Sequence, residues 1–380
     1  MGTNVRIGSL VAVLVGCWVS VDPAPAAAPA KRSVTITVPE RAGAARTGEY
    51  ASFGVPIPRA WKVTDVSALR LSSADGKAIP AQFEALARWA GAPDRKTAPV
   101  KWLLVGYRES VPAGGTKTVV LDTAGPPPAA PVKIRIDAEK PGKLIVDTGA
   151  ARFELKTDDR FNLLEQVTVL GRKLLAPLAA REAIRYSPAG KLSIAGGGKP
   201  NLKPRATRTV VERAGPLRAV VRVAGNILDA SSRPILNFTA RLHFTAGRAD
   251  VRLDFTVENN HPIIETDEGQ PGNARNQGSA NSVYVGDLSL RLRLRKTPAP
   301  LSVLTEQNVK VVSPKTAVRL YQDSNGTDNW NAYVGKVGWP KEKALAHPRL
   351  QSYCTKKGYE ITGGDLGAAR TGKQALGWIC

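Results

Sequence analysis

The chain has 380 residues, 43% of them hydrophobic, 6% aromatic and 23% charged, with 35 Gly, 28 Pro and a formal net charge of +22. That much apolar material excludes an intrinsically disordered chain and fits one large or two ordinary domains. Three Cys and three His exclude a disulfide scaffold, a zinc-ribbon array and a haem protein, and they argue against most histidine-base and metal-hydrolase chemistry.

Residues 1–30 read as an export signal. Arg6 supplies a minimal positive region, Ile7 to Val21 is an apolar run too short for a transmembrane span, and Ala24 to Ala30 is a small-residue cleavage zone. Within it, Leu14-Val15-Gly16-Cys17 resembles a bacterial lipobox, so lipid anchoring through Cys17 competes with ordinary cleavage near Ala26 and Ala27. Either way the product is exported, periplasmic or extracellular, with no integral membrane span. Removing the segment deletes Arg6 and Asp22 and leaves the net charge at +22. Export and the lack of any helix-turn-helix, zinc-finger or aromatic-basic strand motif argue against nucleic acid, which leaves acidic polysaccharide, anionic lipid or teichoic-type polymers, or simply water as partners of the positive field, and charge alone does not choose between them.

From Ser33 onward the periodicity is that of strands. Val34, Ile36 and Val38 alternate with Ser33, Thr35 and Thr37, and between Ile79 and Trp89 the residues Ala81, Phe83 and Ala85 alternate with Gln82 and Glu84. Further on, Phe238, Ala240, Leu242 and Phe244 lead into a turn at Ala246-Gly247-Arg248, and Val251, Leu253, Phe255 and Val257 return, which predicts a hairpin with one buried and one wet face. Asp287 to Lys296 sets Leu288, Leu290, Leu292 and Leu294 against Arg291, Arg293 and Arg295. Helical signal is confined to a short candidate near Leu174 to Arg185. The Gly125-to-Pro131 run is a stiff Pro/Ala linker. It divides the exported chain into a first β domain, 31–123, a linker, 124–131, and a second β domain, 132–380, which holds a long polar stretch from Glu258 to Ser282 that could be a binding loop or merely a mobile connection.

Few residues stand out as chemistry. Asp323-Ser324-Asn325-Gly326-Thr327-Asp328-Asn329-Trp330 offers Asp323, Asn325 and Asp328 as oxygen ligands and Asn329 and Trp330 as sugar contacts. No downstream bidentate Glu completes a calcium loop, so no cofactor is expected, Ca²⁺ being the lesser alternative to a sugar contact or a plain Asx-rich turn. Arg291 and Arg293, with Arg295, could pair bidentately with a polyuronate, against the alternative of a solvated strand face. His261, beside the polar stretch, is the better placed histidine; His243 reads as ordinary strand surface, and His347 lies in a Pro-containing connection. Trp61, Trp89 and Trp102 read as core aromatics. Cys354 and Cys380 could pair after export, with nothing to fix their separation.

Several segments carry a family resemblance. Gly54 to Leu71 (GVPIPRAWKVTDVSALRL), Asp75 to Trp89 (DGKAIPAQFEALARW), Val100 to Tyr107 (VKWLLVGY) and Val111 to Leu121 (VPAGGTKTVVL) together resemble the N-terminal RIFT-barrel domain of exo-rhamnogalacturonan lyase-like proteins, polysaccharide lyase family 26. The segments Val211 to Gly225, Leu242 to Asn259, Leu320 to Tyr333 and Lys357 to Trp378 are similar to the central β-sandwich of the same proteins. The resemblance implies an all-β chain, a RIFT-type barrel followed by an incomplete β-sandwich, and an ancestral function of β-eliminative release of sugar units from acidic pectic polysaccharide. In that family an α/α toroid follows the sandwich, whereas this sequence ends at Trp378-Ile379-Cys380. A truncated copy is the expectation, inactive or accessory as it stands and a lyase if completed by a toroid. A non-catalytic envelope or carbohydrate-binding module is the alternative. Elimination needs a neutraliser for the uronate carboxylate, a base and an acid. No spacing among Arg, Lys and Tyr fixes such a trio, so the catalytic residues are unknown.

Overall fold

The computed structural model describes residues 32–41, 43–138, 140–188, 203–262, 283 and 285–296, together with the short stretches 303–304, 318–322, 359–363, 370–372 and 378–379. Two units divide the chain, Met1–Arg293 and Leu294–Cys380. Nearly every described element is a strand, so the fold is all-β.

The first block runs through β1 (Ser33–Pro39), β2 (Arg46–Pro56), β3 (Arg70–Ser73), β4 (Ala78–Ile79), β5 (Ala81–Arg88), β6 (Val100–Val111) and β7 (Thr116–Asp122). Alternation in β1 works as its sequence requires, with Val34, Ile36 and Val38 turned towards the interior and their neighbours exposed. One sheet has the order β1-β7-β3-β4 and the other β2-β6-β5, all pairs antiparallel. They enclose a core of Val55, Ile57, Leu69, Leu71, Val100, Leu103, Val105, Tyr107, Val119 and Leu121. Tyr107 meets Phe53 edge-on at 5.9 Å, and burial pushes its phenol up to about 12.

The Pro/Ala run is seated rather than free. Gly125 donates its N–H to the Ala68 carbonyl at 3.3 Å, and Ala130 is buried with Leu217 and Ala246 against Tyr50, Val132 and Ile134. A stiff linker held at both ends loses little entropy on docking, so the two blocks meet in a defined way.

The second block contains β8 (Arg135–Asp137), β9 (Lys143–Asp147), β10 (Ala151–Lys156), β11 (Gln166–Val169), β12 (Arg172–Lys173), the single-turn α1 (Ala180–Ala183), β13 (Ile184–Pro188), β14 (Lys203–Ala214), β15 (Arg218–Leu228), β16 (Pro234–Thr245), β17 (Val251–Glu258) and β18 (Val285–Leu290). A sheet of order β12-β11-β10-β9-β8 faces one of order β14-β15-β16-β17 across a common core. This is a β-sandwich. The predicted hairpin is present in register, Phe244 opposite Val251 and Phe238 opposite Val257. Phe238 stacks between Phe161 at 6.2 Å and Phe255 at 5.7 Å, and burying each such side chain stabilises the fold by roughly 1.5–3 kcal/mol.

One strand is shorter than its pattern. The Leu/Arg alternation predicts a strand to Lys296, but β18 ends at Leu290, because its partner β13 ends at Ile184 opposite it. Leu288, Leu290 and Leu292 are exposed rather than buried. In the unit Leu294–Cys380, β19 (Val303–Leu304) pairs with β23 (Trp378–Ile379), and β20 (Val318–Gln322), β21 (Tyr359–Gly363) and β22 (Arg370–Gly372) form a three-stranded antiparallel sheet. Among the described residues no helix is long and apolar enough to cross a membrane.

Candidate functional site

The turn α1 and strand β13 run beside the segment that follows β18. Past the last strand pair, Arg291 donates its backbone N–H to the Ala183 carbonyl and Ala176 donates to the Arg293 carbonyl, each at 2.8 Å. Ala183, Ile184 and Tyr186 are buried as anchors, so Arg181 and Arg185 are left on the outside. Across from them stand Arg291 and Arg293. The result is a cavity of about 530 Å³ whose lining includes Arg181, Glu182, Arg185, Tyr186, Arg291 and Arg293, with Leu178 and Leu292 as its apolar part.

Four guanidinium groups here face one carboxylate. Arg293 approaches Glu182 at 3.8 Å, at the loose end of an ion pair, and the other Glu182 oxygen accepts from the Ala179 N–H at 3.2 Å. Arg181, Arg185 and Arg291 make no carboxylate contact among the described residues. Guanidinium forks of this kind match carboxylate, sulfate or phosphate bidentately. They do not by themselves abstract a proton. Burial raises the Tyr186 phenol above its ordinary value, which keeps it protonated and a poor base at neutral pH, and Glu182 is already engaged. Chemically, the arrangement is suited to an anion rather than to proton abstraction.

A second polar cluster lies where the first block meets the sandwich. The Gln82 side chain accepts from the N–H groups of Leu217 and Arg218 at 3.1 and 3.0 Å and donates to the Arg218 carbonyl at 3.3 Å. This close approach requires glycine at 215, since a Cβ there would fall 2.0 Å from the Gln82 amide. The Arg218 guanidinium lies 5.9 Å from the Tyr50 ring and donates to His243 Nδ1 at 2.9 Å. A guanidinium cannot accept, so Nε2 carries the proton and donates to Asp254 at 2.9 Å. Burial first, then the Arg218 charge, hold His243 below the usual histidine range. Across the same sheet face, Glu212 binds Arg222 at 2.7 Å and Arg241 at 2.9 Å, while Arg213 reaches back to Glu84 of β5 at 2.9 Å.

Of the residues singled out by sequence, Arg291 and Arg293 are brought together, with Arg181, Arg185 and Tyr186, which the sequence did not flag. A short Arg-x-x-x-Arg spacing at 181 and 185 was the available signal, obscured by the general abundance of arginine. His261 does not line the cavity; its ring donates from Nε2 to the Ile235 carbonyl at 2.9 Å, a structural tie at the end of the hairpin. Asp323, Asn325, Asp328, Asn329 and Trp330 lie outside the described residues, as do Cys17, Cys354 and His347. Among the described residues no group of three or more His, Cys, Asp or Glu is placed to hold a metal. His243, read as ordinary surface, is instead largely covered and bonded at both nitrogens. Trp89 and Trp102, read as core, are exposed, while Trp61 packs against the first core.

Residues 134–262 match the family described as PcRGLX-like protein central beta sandwich domain. No curated protein matches the chain. Among solved structures, a protein in glycosyl hydrolase family 38 from Enterococcus faecalis is similar over 77% of this chain, at 10% identity and a TM-score of 0.41. An α-mannosidase from Enterococcus faecalis is similar over 76%, at 8% identity and a TM-score of 0.38. The chain spans 37% of each of these proteins.

Proposed function

We propose, on the premise that residues 134–262 are a PcRGLX-like central β-sandwich domain, that this chain is the non-toroid part of an exported lyase-like protein and that it binds acidic polysaccharide rather than cleaving it. In this reading 31–123 is the RIFT-type barrel, 124–131 the linker and 132–380 the sandwich domain. The supporting observation is the cavity in which Arg181, Arg185, Arg291 and Arg293 outnumber the single carboxylate of Glu182. A polyuronate presents a carboxylate on every sugar residue, and each forked contact to a guanidinium is charge-assisted. The nearby phenol and carboxylate are unsuited to removing a sugar proton, which favours binding over elimination.

The test is affinity electrophoresis of the full chain through polygalacturonate and through a neutral galactan, alongside an ultraviolet assay for unsaturated product. The expected result is retardation by the acidic polymer alone, weakening as salt is raised, with no product. Equal mobility in both gels removes the binding function. Product released by the chain alone makes it an enzyme in its own right.

A further inference from the structure

The far end of the sheet β2-β6-β5 carries a feature unconnected with the arginine cavity. Between β5 and β6 the register runs Ala85 opposite Leu103, Ala87 opposite Trp102 and Arg88 opposite Val100. Leu86 is therefore an extra residue on one strand and Lys101 an extra residue on the other. Two opposed bulges, separated only by the pair Ala87–Trp102, reset which side chains face outward. Val100 and Leu103 both stay fully buried, so Lys101 and Trp102 between them are both turned to solvent. Trp102 is 43% exposed, Trp89 42% and Leu86 40%.

The two indoles are held differently. Trp89 donates its Nε1–H to the Ile57 carbonyl at 3.1 Å, and the Lys101 ammonium lies 5.2 Å from its ring centroid. Trp102 lies next to Gly54, where an added Cβ would sit 3.7 Å from the six-membered ring, so the absence of a side chain there leaves room for the indole. Rings fixed before binding lose little freedom when a ligand arrives. Their exposed area is about 200 Å² in all, if each indole can bury up to roughly 250 Å². A stable protein partner needs on the order of 800 Å² from each side. The patch fits a sugar ring. The adjacent cation selects among sugars, because Lys101 stands beside the ring and no carboxylate is paired with it among the described residues.

We propose that Leu86, Trp89, Lys101 and Trp102 form a contact platform for one acidic pyranose unit, its apolar face stacked on Trp102 and its carboxylate drawn to Lys101. This rests on the reading of the chain as glycan-binding but on different residues from the arginine cavity. Stacking of a base on an aromatic ring elsewhere changes affinity by about tenfold or more, and sugar stacking is set at the lower end of that scale.

The test is a titration of the full chain with tetragalacturonate and, separately, with neutral galactotetraose, read by tryptophan fluorescence and by affinity electrophoresis. Trp102→Ala is expected to weaken tetragalacturonate binding about tenfold. Lys101→Gln is expected to weaken the acidic ligand several-fold and to bring its affinity towards the weak or undetectable level of the neutral one, and melting curves matching the parent exclude a folding defect. Loss of binding in Arg185→Ala with Arg291→Ala, but parental affinity in Trp102→Ala and Lys101→Gln, overturns the platform and leaves the cavity standing. The reverse pattern keeps the platform and removes the cavity. No fluorescence change and no retardation of the parent chain overturns both.

Discussion

The outer face of β14–β17 and the cavity beside β13 are both rich in arginine, yet they treat it in opposite ways. On the sheet face, Arg222 and Arg241 share Glu212, Arg252 and His243 share Asp254, and Arg213 takes Glu84. In the cavity three of four arginines meet no carboxylate among the described residues. Paired charges in partly exposed positions chiefly fix geometry, and their net contribution is small. Like charges gathered without partners cost stability and are retained where an external anion completes them. A net charge of +22 therefore does not itself mark a site. Its local imbalance does.

Replacing Arg185 and Arg291 with Ala is the largest perturbation this contrast allows. If each forms one charge-assisted contact worth about 1.5 kcal/mol, losing both lowers affinity for tetragalacturonate by about a hundredfold. Thermal stability should stay level or rise, since repulsion is relieved. A variant that binds normally and melts earlier would place these arginines among the structural ones and dissolve the contrast.

Glu212→Gln is the converse on the paired face. Its carboxylate is held below the usual range by the Arg241 hydrogen bond first and the Arg241 and Arg222 charges next. Removing it leaves two guanidinium groups opposed across β15 and β16, where Arg222 and Arg241 are register partners. The expected loss is about 1 kcal/mol of stability, discounted for partial exposure, with glycan affinity unchanged. Measured by urea unfolding, no loss would mean the pairs are incidental. A fall in affinity would extend the binding surface onto this sheet.

The contrast also explains what the sequence could and could not reveal. The hairpin of β16 and β17 was legible because Phe238, Ala240, Leu242 and Phe244 alternate against a return strand of equal character, and a one-residue slip would expose all of them. Alternation fails where the partner strand runs out, as for Leu292 beyond β18, and where a bulge changes the count, as for Trp102. It also calls every polar position wet. Gln82 sits on such a face, yet its amide substitutes for a strand edge by bonding the backbone of Leu217 and Arg218, 135 and 136 residues away in sequence. In the cavity, Arg291 and Arg293 were legible as a charged strand face, but their gathering with Arg181 and Arg185 depends on chain segments more than a hundred residues apart. Local patterning carries no information about such a meeting.

The smallest effect concerns pH. His243 accepts from Arg218 and donates to Asp254, so the folded state holds it neutral, and burial with the neighbouring Arg218 and Arg252 charges depresses its pKa despite the opposing pull of Asp254. The unfolded chain, with an ordinary histidine value of about 6.5, then binds the proton more readily. The stability this group contributes is full above pH 6.5 and is lost as pH falls below that value towards the depressed folded one. Protonation also sets an N–H against the Arg218 guanidinium, whose backbone anchors Gln82, so the junction between the blocks should loosen first. In His243→Gln the decline in melting temperature between pH 7 and pH 5 should be shallower than in the parent, while the two should run parallel from pH 7 to pH 8. Parallel curves across the whole range would show that His243 titrates alike in both states and that the Arg218 contact does not govern its proton.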